Sequence, residues 1–236
     1  MSFFSTASIS PREDLPMPVR GRTKAVGIDL HDEEDVRLME LIKNGDHAAF
    51  ETLVERNKNA VFNVAVRMLN GNVSEAEDVA QQVFIRVWTS APRYENTAKF
   101  KTWLYTILKN LVYNETRRKS HHQEISLMVS NEDSGYQKDL IDSRNHSPQE
   151  TMMQSEFEEA TWAAIKALPK KQRMALSLRL QKNLSYEELC AIMGMSLSAV
   201  KSLIFRARED LKVTLSPFMD KSFEEKDTSV ESEKSE

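Results

Sequence analysis

The residues best suited to chemistry in this chain are cations and aromatics set at helical spacing. Over residues 197–211, a helical wheel at about 100° per residue gathers Ser198, Lys201, Ser202, Phe205, Arg206, Arg208 and Glu209 on one arc. Leu197, Val200, Leu203, Ile204, Ala207 and Leu211 occupy the other, so Phe205 sits in the middle of a polar face. Lys and Arg meet phosphates and guanine edges in a duplex groove, and a ring touches apolar edges such as the thymine methyl. A second stretch, 99–118, repeats the oddity. Lys99, Trp103, Thr106, Asn110, Tyr113, Asn114 and Arg117 face away from Phe100, Leu104, Leu108, Leu111 and Val112. Rings interleaved with cations and amides suit unpaired bases, which stack on aromatics while positive charge meets the backbone. Both rings also have a plain structural use, which is to pack on a neighbouring helix. Burial decides between the two.

A third helix-like stretch, "SEAEDVAQQVFIRVW", buries Val79, Ala80, Val83, Phe84 and Val87 on one stripe. Asp78, Gln81, Gln82, Ile85 and Arg86 face outward, with Ile85 alone among polar groups. One exposed Ile is ordinary, but flanked by an acid and amides it fits the anchor of a protein interface. Nothing here resembles an active site. The histidines (His31, His47, His121, His122, His146) are scattered and lack metal-ligand spacing with Cys190. There is no phosphate-cradling Gly-rich loop and no Ser-nucleophile motif. The chain is therefore expected to be no enzyme and to need neither metal nor cofactor.

The elements that must position these faces are helices. Patterning begins near Glu34 with Val36, Leu38, Leu41 and Ile42; Asp46 is placed to cap a long second helix that ends at Asn70-Gly71-Asn72. Ser74 with Glu77 predicts a capping box for the third helix, and a fourth is expected over 98–119. Leu168-Pro169 marks a break. Ser185 with Glu188 predicts another capping box, Gly194 a left-handed corner and Ser196 the cap of the following helix. Two short helices meeting at such a corner are a helix-turn-helix pattern, which generic helical hairpins share. The expected fold is all-α, with two small helical domains at 34–119 and 150–215. A loose N-terminal extension (1–33), a flexible acidic linker (120–149) and an acidic tail (216–236) complete the division.

Charge follows the same division. The net charge of −4 hides its segregation: 99–119 holds six Lys/Arg against one acid, and 160–216 holds ten against four. Residues 121–159 hold nine acids against two bases. Two polyanion-facing surfaces joined by a segment that is not one is the simplest reading. A single cysteine, Cys190, permits no internal disulfide and points to a reducing compartment. No apolar run approaches a membrane span, so a cytoplasmic chain with no membrane insertion of its own is expected.

Six blocks in order carry a resemblance. "GDHAAFETLVERN", "AEDVAQQVFIRVW" and "FKTWLYTILKN" look like region two of the extracytoplasmic-function (ECF) group of bacterial sigma factors. "LPKKQRMALSLRL", "LSYEELCAIMG" and "SLSAVKSLIFRAREDLK" look like its region four. The resemblance implies a factor that binds core RNA polymerase, through the β′ clamp and the β flap, and directs it to promoter DNA. It also implies a further partner class, the anti-sigma factors. Asp78, Gln81, Gln82, Phe84 and Ile85 fall in its clamp-docking helix. Ser90, Tyr94, Tyr105, Ile107 and Asn110 match the surface that captures a flipped −10 base, extended by Lys99, Trp103, Tyr113, Arg117 and Arg118. Ser198, Lys201, Ser202, Phe205, Arg206 and Arg208 match the −35 reader. The wheel turns Phe84 and Tyr105 mostly inward. Lys201 stands where the family commonly has Arg, which alone offers a bidentate fork. A dimeric helix-turn-helix repressor would leave the Trp103–Asn110–Tyr113 face unused, and a pure adaptor would leave the basic helix unused.

Overall fold

The computed structural model describes residues 30–125, 148–181 and 184–231. Among these there is no strand. Eight helices follow one another: α1 (Leu30–Lys43), α2 (His47–Met68), α3 (Val73–Ser90), α4 (Phe100–Ile125), α5 (Pro148–Ala167), α6 (Lys170–Arg179), α7 (Tyr186–Met193) and α8 (Leu197–Glu231). The all-α expectation holds.

Local chemistry explains most of the boundaries. The Asp46 carboxylate accepts the Ala49 N–H at 3.0 Å and opens α2. Asn70 and Gly71, both at positive φ, close it. The start of α3 differs from the sequence expectation. Asn72, not Ser74, is the cap: its side chain accepts from the Glu75 N–H at 3.1 Å and donates to the Glu75 carboxylate at 2.6 Å. Asn can both accept and donate, so it closes the reciprocal pair two residues earlier than Ser74 would. Pro169 breaks the chain between α5 and α6, as expected.

Two boundaries move. α4 runs on to Ile125 and α5 already begins at Pro148, so both ends of the expected linker are helical. Its middle, 126–147, and the N-terminal extension up to residue 29 lie outside the described residues. α8 continues through the expected start of the tail, with Pro217 inside it. Pro217 has no N–H for the Val213 carbonyl, and the Ser216 hydroxyl donates to that oxygen at 3.1 Å instead.

α1–α4 form a bundle around Met39, Leu53, Val61, Phe100, Leu104 and Leu108, all fully buried. An ion pair on a buried carboxylate ties α1 to α2: half-buried Arg56 Nε donates to Asp35 at 2.8 Å, and exposed Glu34 flanks the guanidinium at 2.7 Å. α5–α8 form the second half. The apolar cluster does not stop between the halves, because Met174, Leu178, Leu189, Ile192, Val200 and Ile204 belong to the same one. α6 packs on α2 and α7 packs on α4.

Candidate nucleic-acid interface

The corner at 185–196 is built as the sequence predicts. The Ser185 hydroxyl accepts the Glu188 N–H at 3.2 Å, and Glu188 Oε2 accepts the Ser185 N–H at 2.6 Å, a complete capping box. Gly194 ends α7 at φ 66° and ψ 38°, left-handed backbone that costs an L-residue with a Cβ. Its N–H and that of Met195 donate to the Cys190 carbonyl. Ser196 then accepts the Ala199 N–H at 3.4 Å. The chain turns through 97° between α7 and the first part of α8. That angle is the one a helix-turn-helix needs to seat its second helix in a groove.

α8 divides as its wheel predicts. Val200, Ile204 and Ala207 are buried. Ser198, Lys201, Ser202, Arg206 and Arg208 are exposed, and Phe205 is 64% exposed. Phe205 is therefore no core residue. The Lys201 ammonium lies 5.6 Å from the centroid of the Tyr186 ring, and the Arg179 guanidinium lies 5.4 Å from the same ring. One tyrosine at the start of α7 thus holds two cations beside the exposed face. Sequence reasoning missed Tyr186 and Arg179. The signal was present as an aromatic directly after a capping Ser, in an element whose partner helix is basic.

The α4 face is more covered. Asn114, Arg117 and Arg118 are exposed, whereas Lys99, Trp103, Thr106, Asn110 and Tyr113 are half-buried. Trp103 leans on Tyr94 and Phe100, with ring centroids 5.0 and 6.0 Å away. Arg118 pairs with Glu115 at 2.9 Å. Of the positions the resemblance assigned to the same surface, Ser90, Tyr94, Tyr105 and Ile107 are buried. Burial, with Asp35 adding to it, pushes the Tyr105 phenol far above its ordinary value; burial also raises that of Tyr113. Both rings stay neutral in the folded protein at any physiological pH.

On α3, Asp78, Gln81 and Gln82 are exposed and Ile85 is 36% exposed, while Phe84 is buried. The outward arc is thus as the wheel drew it. Phe84 and Tyr105 point inward, as the wheel also indicated, and they reach a partner only through the residues they support. Among the described residues no group of His, Cys, Asp and Glu is placed to hold a metal ion. No single described helix is long and apolar enough to cross a membrane.

Sequence reasoning also missed the polar pins between the halves. Lys99 Nζ pairs with Glu188 Oε1 at 3.0 Å. Lys109 Nζ donates to the Ile192 carbonyl at 2.5 Å. Arg173, which is buried, donates to Asn70 and to the Lys166 carbonyl. Burial lowers the pKa of both Lys109 and Arg173. No periodicity within one helix announces contacts between helices so far apart in sequence.

Two family models match the chain. The Sigma-70 region 2 family model matches residues 53–122, and the Sigma-70 region 4 model matches 158–211. The RNA polymerase sigma-H factor of Pseudomonas aeruginosa is 31% identical over 190 residues, which is 80% of this chain and 98% of that one. The ECF RNA polymerase sigma-E factor of Haemophilus influenzae is 32% identical over 189 residues, 78% and 97% of the two chains. Among solved structures, the sigma factor RpoE of Bartonella quintana in complex with the anti-sigma factor NepR aligns with a TM-score of 0.57 at 25% identity. It covers 71% of this chain and 96% of its own. CnrH in complex with the cytosolic domain of CnrY shares the fold, with a TM-score of 0.55 at 21% identity over 78% and 98% of the chains.

Proposed function

The chain belongs to the ECF group of sigma-70-type transcription initiation factors, and from that premise we propose that its faces divide the work of promoter opening. The exposed arc of α8 reads duplex DNA at the −35 element. Lys201, Arg206 and Arg208 supply charge, Ser198 and Ser202 hydrogen bonds, and Phe205 an apolar edge. The observation that carries this reading is Phe205 itself, an exposed ring amid cations on the second helix of a helix-turn-helix.

The α4 face takes the melted −10 strand. Asn110 offers an amide to a base edge, Trp103 and Tyr113 offer rings, and Lys99, Arg117 and Arg118 meet the backbone. The buried Ser90, Tyr94, Tyr105 and Ile107 hold that face in place, as Tyr94 does beneath Trp103. The outward arc of α3 (Asp78, Gln81, Gln82, Ile85), backed by buried Phe84, docks on core RNA polymerase at the β′ clamp, and the second half docks on the β flap. An anti-sigma factor is the natural regulatory partner, since the RpoE structure that resembles this chain was solved with one.

Reconstitution with core polymerase tests the assignment. Asp78→Lys combined with Gln81→Ala should leave the fold intact, since both positions are exposed, and should weaken co-purification with polymerase. Asn110→Ala should lower open-complex formation, read by reactivity of unpaired thymines, while duplex binding persists. A double mutant that co-purifies as well as the parent, or an Asn110→Ala protein that melts promoters normally, refutes the corresponding half.

A further inference from the structure

The helical wheel places Leu197 on the buried arc of α8, yet Leu197 is 41% exposed. Its position explains the departure. Leu197 is the first residue of α8, directly after the Ser196 cap, and helical side chains lean toward the N-terminus of their helix. No earlier turn of α8 lies beneath it, and the chain bends through 97° between α7 and α8. The hydroxyls on either side, those of Ser196 and Ser198, lie 3.2 Å apart and satisfy one another. An apolar side chain therefore stands at the tip of the helix, between two hydroxyls that are already paired.

That tip is the part of a recognition helix that meets base edges. Leu197, Lys201 and Phe205 follow at four-residue steps, each turned about 40° from the last, so the three form one slanting row. All three are exposed. From Leu197 to Phe205 the helix advances about 12 Å. Successive base pairs lie about 3.4 Å apart along a duplex, so the two apolar ends of the row span about three to four of them. In the major groove the apolar group on offer is the 5-methyl of thymine.

We propose that Leu197 is a second apolar reader beside Phe205, so that the duplex element taken by α8 presents two thymine methyls about three to four base pairs apart, flanking the position that meets Lys201. The inference rests on the reading of α8 given above and adds to it a residue and a spacing. Leu197 can neither donate nor accept a hydrogen bond, so it discriminates by the methyl contact alone. Ser198, whose hydroxyl faces that of Ser196, contributes less to base choice than its exposure suggests.

Deoxyuridine is thymine without the methyl and keeps the same hydrogen-bonding edge, so it isolates the contact. The full chain bound to core RNA polymerase selects a duplex from a pool randomised over the −35 region. The selected duplex is then scanned by single thymine-to-deoxyuridine replacements. Two positions should each lose about 3- to 5-fold in affinity, the worth of one buried methyl group. Leu197→Ala should abolish the penalty at one of them and keep it at the other, and Phe205→Ala should do the reverse. Leu197→Met, still long and apolar, should keep both. A general loss of stability cannot imitate a penalty that vanishes at one base pair and persists at another. A Leu197→Ala protein that retains both penalties, or a parent protein with a single methyl-sensitive position, overturns the proposal. So does an unchanged scan accompanied by weaker co-purification with polymerase, which would give Leu197 to a protein contact. Failure of the −35 reading itself looks different: no sequence is enriched, or Lys201→Ala and Phe205→Ala bind the selected duplex as the parent does.

Discussion

Phe205→Ala separates readout from folding more cleanly than any other change in the second half. Fully burying a Phe side chain contributes about 1.5–3 kcal/mol. Phe205 is 64% exposed, so only about a third of that is at stake, roughly 0.5–1 kcal/mol. The better helix propensity of Ala returns about half a kcal/mol. The net loss is within about 0.5 kcal/mol, which for a chain of this size is a melting shift of about 1–2 °C. Circular dichroism melts would register that as nearly nothing.

The effect on DNA should be of another kind. Phe205 carries no charge, so its loss leaves the salt dependence of binding unchanged and flattens the preference among −35 variants. Lys201→Ala and Arg206→Ala should each lower affinity and reduce the salt slope by about one where the residue meets a phosphate. Lys201→Ala should also cost a little stability, about 0.5–1 kcal/mol, because its ammonium sits over the Tyr186 ring. The measurement is a competition assay across a −35 library at several salt concentrations, run beside thermal melts. A loss of about 3 kcal/mol or more for Phe205→Ala, with promoter preference intact, would place the ring in the core and refute the reasoning.

Other perturbations follow from single observations. Gly194→Ala meets no atom within 4 Å of an added Cβ, so its cost is conformational alone, about 1–2 kcal/mol in urea titration, and Gly194→Asn should cost less. Arg56→Met strands the buried Asp35 carboxylate and should destabilise by about 3–5 kcal/mol, also read in urea. Tyr105 keeps its proton in the folded protein while the unfolded chain loses it near pH 10, so the unfolded state binds fewer protons and stability falls as pH rises above about 10. Tyr105→Phe should move alkaline unfolding to higher pH, and an unchanged midpoint would show that the phenol is not responsible.

What the sequence disclosed was whatever repeats within a helix. The wheel arcs of α3 and α8 match observed exposure residue for residue at Asp78, Gln81, Gln82, Ile85, Lys201, Phe205 and Arg206, because side-chain direction follows backbone period. Caps that depend on neighbours three residues apart were legible at Asp46 and Ser185. Asn72 was missed because Ser74-Glu77 offered an equally good local pattern, and only the chain reversal at Asn70-Gly71 decides between them. The α4 arc was only half right. Lys99, Trp103, Asn110 and Tyr113 lie on the predicted face, yet they are half-buried: Trp103 leans on Tyr94 and Phe100, and Lys99 pairs with Glu188, far along the chain. Tertiary contact of that range leaves no periodic trace.

The seam between the halves combines apolar packing with a few polar pins. Its apolar part is continuous with both cores, but its polar pins are under-compensated. Lys109 meets a backbone carbonyl, and Arg173 meets an amide and a carbonyl. Desolvation lowers the pKa of each, which means that burial works against the charged form. Lys99 has a carboxylate there, Glu188, which is also engaged in capping α7. Ile192 and Leu189 are fully buried in the apolar part of the seam. Salt acts on the ionic Lys99–Glu188 pin far more than on the apolar contact.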